Sequence, residues 1–164
     1  MNYKCVIGVK KLVSQKLDYE IKIHNNSMKW IKFKEITLNN LDNRIIYLGM
    51  IDDTIICEAT AVINKLDYEV KNKSEFVNKD KVYLCAFRTN KEYQNKGYFS
   101  RLYKFMENDL KKRGIKKLIL GVEPSEVRNM MIYFKYGFVN YINSYMEKYP
   151  NGEKYLVNYY YKNI

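Results

Sequence analysis

Histidine and cysteine are scarce in this chain. There is one histidine, His24, and three cysteines, Cys5, Cys57 and Cys85, an odd number set far apart. With no Cys-x-x-Cys pair and a single imidazole, no metal site is expected. Unpaired thiols of this kind fit a reducing compartment, so the expected location is cytoplasmic. Near the N-terminus there is no apolar run long enough for a signal peptide. Nowhere does a run approach the ~20 residues of a membrane helix, so no membrane partner is expected. The chain has no block of five or six like charges and therefore no basic or acidic tail. Two common phosphate-loop patterns are missing: neither Gly-x-x-x-x-Gly-Lys-Ser/Thr nor Gly-x-Gly-x-x-Gly occurs. No internal repeat or low-complexity segment is found.

What is present is a globular composition. The chain has 164 residues, 47% of them hydrophobic and 15% aromatic. That length can bury a proper core and points to a single domain over residues 1–164. The aromatic content argues against disorder. Net charge is +11. Such charge attracts anions, a phosphorylated cofactor or a nucleic acid among them. The plainer reading is a bias toward Lys, Asn, Ile and Tyr together, and nucleic acid is disfavoured because no known binding motif accompanies the charge.

The chain is organised around Tyr93-Gln94-Asn95-Lys96-Gly97-Tyr98-Phe99-Ser100. Before it, Val82-Tyr83-Leu84-Cys85-Ala86-Phe87 reads as a buried strand. After it, Phe99, Leu102, Tyr103, Met106 and Leu110 recur at helical spacing, which predicts a helix from about Tyr98, stopped by Gly114. A strand, a polar turn with one glycine, and a helix start can form an anion site. First-turn N–H groups have no helical partner, and the helix dipole adds partial positive charge. A polar loop that merely turns the chain is the bland alternative.

Gln94-Asn95-Lys96-Gly97-Tyr98-Phe99 resembles the Arg/Gln-x-x-Gly-x-Gly/Ala pyrophosphate signature of the GNAT family of N-acetyltransferases. Leu118-Ile119-Leu120-Gly121-Val122-Glu123 resembles that family's next core strand. Tyr133-Phe134-Lys135-Tyr136-Gly137-Phe138 is similar to its Tyr-x-x-x-Gly-Phe. The resemblance covers about residues 82–138. Two positions depart from the family pattern: Phe99 replaces a second Gly or Ala, and Glu126 stands where many members carry Asn. The resemblance implies a mixed α/β fold with a central, mostly antiparallel sheet flanked by helices. It implies direct transfer of an acetyl group from acetyl-CoA to a primary amine, small or peptidic, and it leaves room for a homodimer. The rival functions are a CoA-binding or regulatory domain that no longer catalyses, and a basic nucleic-acid-binding module.

Along the chain, residues 3–9 read as a first strand. Val13, Leu17, Ile21, His24, Met28 and Ile31 fall three or four apart and predict one helix over about 11–31, with His24 on its apolar face as a packed or hydrogen-bonded residue. Trp30 and Phe33 anchor the end of this helix. Residues 34–43 connect it to a hairpin, Arg44 to Ile51 and Thr54 to Ile63 around Asp52-Asp53. Residues 65–80 read as a polar loop. Lys117–Val122 is a short buried strand. Ser125 is expected to cap the next helix, whose buried stripe is Val127, Met130, Met131 and Phe134. The tail reads as a second hairpin, Phe138–Tyr149 and Lys154–Lys162, around Pro150-Asn151-Gly152. Strand–helix–strand–helix units beside hairpins predict a mixed sheet with helices on both faces.

The implied chemistry sets demands. The amides of residues 95–100 would hold the pyrophosphate, with Gln94, Asn95, Lys96, Gly97, Tyr98, Phe99 and Ser100 forming the turn. The strand end at Phe87, Arg88 and Thr89 would pair with the pantetheine arm as an added strand would. A lysine-like amine has a pKa of about 10.4, so holding it neutral at pH 7 costs about 4.6 kcal/mol. A carboxylate base lowers that barrier, and both Glu58 and Glu123 are candidates. Each could instead partner a nearby lysine or a buried N–H group. Tyr133 occupies the family's general-acid position, four residues before Gly137. A covalent route through Cys57 or Cys85 is disfavoured, since direct transfer needs no protein nucleophile.

Overall fold

The structure, a computed structural model, describes residues 2–148 and 152–164. A seven-stranded sheet runs through it in the order β1-β2-β3-β4-β5-β7-β6. The strands are β1 (Tyr3–Ile7), β2 (Arg44–Ile51), β3 (Thr54–Val62), β4 (Lys81–Thr89), β5 (Lys117–Val122), β6 (Asn140–Lys148) and β7 (Lys154–Asn163). Every neighbouring pair is antiparallel except β4 and β5. Parallel neighbours need a crossover, and helix α3 (Tyr98–Lys112) supplies it.

The sheet is covered on both faces. In β2, Ile45 and Tyr47 pack toward α3, whereas Ile46, Leu48 and Met50 pack toward α1 (Lys10–Ile23). That alternation is the period of two a strand imposes. In β4 and β5 the same rule sends Val82, Leu84, Leu118 and Leu120 to the α3 face, and Tyr83 and Ile119 to the other.

The single helix expected over residues 11–31 is two helices, α1 and α2 (Met28–Leu38). Asn25 and Asn26 break it with φ of 54° and 55°. Asparagine tolerates the left-handed region better than most residues. The apolar spacing runs on across the break, which is why the pattern conceals it. Most of the expected connection over residues 34–43 is accordingly the end of α2 and a single 3-10 turn, Leu41–Asn43.

The polar segment 65–80 is pinned in place. It contains two 3-10 turns, Tyr68–Val70 and Ser74–Phe76. The Arg44 guanidinium donates to both carboxylate oxygens of Asp67, at 2.7 and 2.5 Å, with both side chains buried. Asp67 in turn accepts from the Glu69 N–H.

Helix α4 (Val127–Lys135) also departs from expectation. It begins after Glu126, not at Ser125, and no side chain caps it. Val127 and Met131 are 54% and 65% exposed, so the expected stripe is not core. The helix lies over a cavity, and it presents a different face inward. The second hairpin forms as expected, although Tyr149, Pro150 and Asn151 of its anticipated turn region lie outside the described residues. Among the described residues no helix is long and apolar enough to cross a membrane.

Candidate active site

β4 and β5 pair only over Lys81–Tyr83 and Lys117–Ile119. Beyond that point the two strands part. The residues that open the gap are set by a bulge in β4. Its register against β3 slips between Glu58 and Thr60, and Ala86 takes a φ of 54°. The extra residue reverses the facing of everything after it. Phe87 therefore turns to the α3 face, where its ring meets Phe99 at 5.1 Å and Tyr133 at 5.9 Å. Arg88 turns to the α1/α2 face.

On the α3 face lies a cavity of about 520 Å³. Its walls include Phe87 and Thr89 of β4, Gln94, Asn95, Gly97, Tyr98, Phe99 and Ser100 of the turn, and Tyr133 of α4. Residues far apart in sequence thus meet around one space. Asn95 and Gly97 both have positive φ, 60° and 78°, and Gly97 immediately precedes α3. A Cβ on Gly97 would touch nothing within 4 Å, so its backbone angle requires the glycine, not crowding. The turn is braced by its own side chains. Gln94 Nε2 donates to the Thr89 carbonyl at 3.0 Å, and Lys96 Nζ to the Glu92 carbonyl at 2.8 Å. Lys96 Nζ also lies 5.8 Å from the centroid of the Tyr93 ring, which lines the cavity, although Lys96 itself does not.

Several lining residues escaped the sequence reading. Asn129, Ile132 and Tyr136 sit on the same side of α4 as Tyr133. The signal was available, because these positions are three or four residues from Tyr133 or from each other. Arg128 spans the cavity mouth, donating to Asn95 Oδ1 at 3.2 Å. Tyr136 stacks on Tyr103 at 4.2 Å and 14°, and its hydroxyl lies 3.1 Å from Ser100 Oγ. Burial, with Glu126 nearby, pushes the Tyr133 phenol up to about 12.

Glu58 and Glu123 are placed apart. Glu58 is buried beside Leu48, and its Oε1 accepts from Arg88 Nη1 at 2.6 Å. The Arg88 guanidinium also lies over the rings of Trp30 and Phe33, at 4.9 and 5.1 Å. Glu123 lines a second cavity, about 360 Å³, on the sheet face opposite α3. Glu126 lines that second cavity too, while the adjoining Arg128 and Asn129 line the first. Asn129 Nδ2 donates to Glu126 Oε2 at 2.6 Å, so the start of α4 joins the two spaces.

The chain matches the Acetyltransferase (GNAT) family over residues 14–138. It belongs to that family. The match spans the turn, the parted strands and α4, which are the elements that build the first cavity. Solved structures agree on the fold. The ribosomal-protein-S18-alanine N-acetyltransferase from Escherichia coli aligns with a TM-score of 0.71 at 16% identity, covering 99% of this chain and 94% of its own. A GNAT family acetyltransferase from Streptococcus pneumoniae aligns at 0.71 and 17%, covering 99% and 100%. Another from Elizabethkingia anophelis, solved with acetyl-CoA bound, aligns at 0.63 and 15%, covering 99% of each chain. Nothing among curated protein sequences matches this one. The expected fold class is thus correct, and the chain is an N-acetyltransferase.

Proposed function

We propose that this acetyltransferase takes its acetyl group from acetyl-CoA and passes it directly to a primary amine, with no acyl-enzyme. The observation that carries this reading is the meeting of Phe87, Gly97 and Tyr133 around one cavity at the N-terminus of a 15-residue helix. The turn offers what a pyrophosphate needs: unpaired first-turn N–H groups and two left-handed residues that let the backbone approach an anion. Arg128 adds a cation across the mouth. The open edge of β4, where β5 has parted from it, offers main-chain groups to an amide-rich arm.

In this reading the amine approaches from the second cavity, through the gap between β4 and β5. Glu123 takes the amine proton, directly or through water. The amine nitrogen bonds to the thioester carbon and the carbon–sulfur bond breaks. The Tyr133 hydroxyl gives its proton to the departing sulfur and recovers one from solvent. Its raised pKa keeps that proton in place throughout the neutral range. Glu58 serves Arg88 instead, and the pair holds the end of β4 against α2.

The cysteines favour direct transfer. Burial pushes the Cys57 thiol up to about 11 and the Cys85 thiol higher. Neither supplies the thiolate a covalent route needs at neutral pH.

Calorimetric titration with acetyl-CoA, followed by thiol-release assays over an amine panel, tests the proposal. Binding with turnover supports it. Tight binding without turnover on any amine would favour a regulatory CoA-binding domain, and absence of binding would remove the cofactor assignment.

A further inference from the structure

Tyr3 stands on β1, at the edge of the sheet, yet it reaches the start of α3. Strand alternation sends Tyr3 and Cys5 to the α3 face. There the register sets Cys5, Gly49 and Cys57 side by side across β1, β2 and β3. The middle position has no side chain, and the Tyr3 hydroxyl occupies the gap. A Cβ on Gly49 would collide with both Tyr3 Oη and Cys57 Sγ. The glycine is therefore what admits the hydroxyl.

From that gap Tyr3 Oη donates to the Tyr98 carbonyl at 2.8 Å, 95 residues away in sequence. The direction is fixed by chemistry, because a carbonyl only accepts. Cys57 Sγ lies 3.5 Å from the same phenol oxygen. With the phenol's one proton committed to Tyr98, the thiol is the donor in that contact. Burial pushes the Cys57 thiol up to about 11 and raises the Tyr3 phenol as well, so both keep their protons at neutral pH. The ring is held too. The Arg101 guanidinium lies 4.4 Å from its centroid, and the Tyr98 ring 5.0 Å.

Tyr98 is the first residue of α3. The peptide that follows it is trans and planar, so its C=O and its N–H point in opposite directions. That N–H belongs to Phe99 and is one of the first-turn donors without a helical partner. Holding the carbonyl therefore aims the N–H outward from the helix start, where Gly97 and Phe99 line the first cavity. A hydrogen bond to the carbonyl also polarises the amide and makes its N–H a stronger donor. The entry to the turn is held separately. Lys16 Nζ donates to Asn90 Oδ1 at 3.0 Å, and Asn90 Nδ2 to the Ile55 carbonyl at 3.2 Å. Loss of the Tyr3 hydroxyl would thus touch the helix start and leave the entry in place.

We propose that Tyr3 is a positioning residue for the cofactor pyrophosphate: through the Tyr98–Phe99 peptide it aims and polarises the Phe99 N–H toward the anion, and Gly49 makes room for it. This rests on the acetyl-CoA reading above. A ring that only packed would need no hydroxyl and no gap in β2.

Tyr3→Phe is the test, since it keeps both ring contacts and removes only the donor. Calorimetry should show the Kd for acetyl-CoA rising roughly three- to tenfold, the effect of one hydrogen bond. In nitrogen-15 NMR spectra the Phe99 amide of the wild-type protein should shift downfield on saturation with acetyl-CoA, and that of Tyr3→Phe should shift less. A merely structural role would lower the melting temperature without singling out this amide. An unchanged Kd in the folded variant, or a wild-type Phe99 amide that acetyl-CoA leaves in place, would overturn this inference and leave the acetyl-CoA reading standing. The wild-type spectrum decides even where the variant does not fold. A wild-type protein that does not bind acetyl-CoA would overturn both.

Discussion

Glu58 and Arg88 are joined by a 2.6 Å hydrogen bond on the sheet face opposite the cavity lined by Phe87 and Tyr133. The pair rests on the rings of Trp30 and Phe33, and it joins β3, the far end of β4 and α2, beyond the point where β4 leaves β5. This ties Glu58 to structure, which is why the proposed mechanism gives the base role to Glu123. Glu58→Gln should keep the hydrogen bond but lose the charge. Arg88 is 30% exposed, so the loss is well below that of a fully buried pair, about 1–2 kcal/mol. Thermal melts should record that loss while kcat stays within a few-fold of wild type. A drop in kcat of a hundredfold at unchanged stability would return the base role to Glu58.

Gly97→Asp should weaken acetyl-CoA binding by roughly tenfold or more, because a carboxylate would face the phosphates and a φ of 78° disfavours a Cβ. Gly97→Asn is the matched control, since asparagine accepts that angle and carries no charge. Calorimetry on the two folded variants should separate the angle from the charge. Equal affinity for Asp and Asn would mean the phosphates lie elsewhere.

Acid should destabilise the protein through identifiable groups. Burial alone would raise the Glu107 carboxyl, but hydrogen bonds from Lys162 and Tyr103 outweigh it and hold the group below its usual value. Asp109, bonded by Tyr47 and Arg113, and Glu147, bonded by Tyr159 and Lys73, are lowered in the same manner. A depressed carboxyl contributes stability that is complete above its unfolded pKa, about 4 to 4.5, and is lost as pH falls below that. The melting temperature should be flat from pH 7 to 5 and fall steeply below 4.5. Glu107→Gln should lower the plateau and flatten part of the acid limb. An unchanged acid limb would mean Glu107 is not among the groups responsible.

Phe99 shows what the sequence could and could not give. Its place in the turn and its helical spacing to Leu102 and Tyr103 were legible, and those imply a ring packed on the sheet. The ring does pack on Phe87, but it also lines the cavity. The α4 stripe misled for a related reason: helical spacing reports a face, and a cavity lined by Asn129, Tyr133 and Tyr136 claims that face as readily as a core does. The β4 bulge left no trace, since alanine at a φ of 54° is a cost set by tertiary context. The carboxylate cavity was equally hidden. Its walls come from residues 68–73, 83, 121–126, 147 and 155–159, which no local pattern links. Phe99→Ala should cost about 2 kcal/mol, less than a fully buried ring would. Cofactor affinity should change by only a few-fold; a large gain would show the ring obstructs the site.

Tyr133 offers the most direct test of the chemistry. Its ring is wedged against Phe87 at 5.9 Å and 74°, and the residue lines the cavity it shares with Gly97. Tyr133→Phe retains the ring and should melt within a few degrees of wild type. Cofactor affinity should change little, since one neutral hydrogen bond is worth about 1 kcal/mol. If the phenol protonates the leaving sulfur, kcat should fall by roughly a hundredfold, within the usual range of general acid catalysis. Because burial pushes this phenol up to about 12, the kcat profile should show no loss from its ionisation below about pH 11. The decisive measurement is single-turnover acetyl transfer, which isolates the chemical step from product release. A variant that transfers acetyl at the wild-type rate there would remove Tyr133 from the proton path and leave water or the incoming amine as the acid.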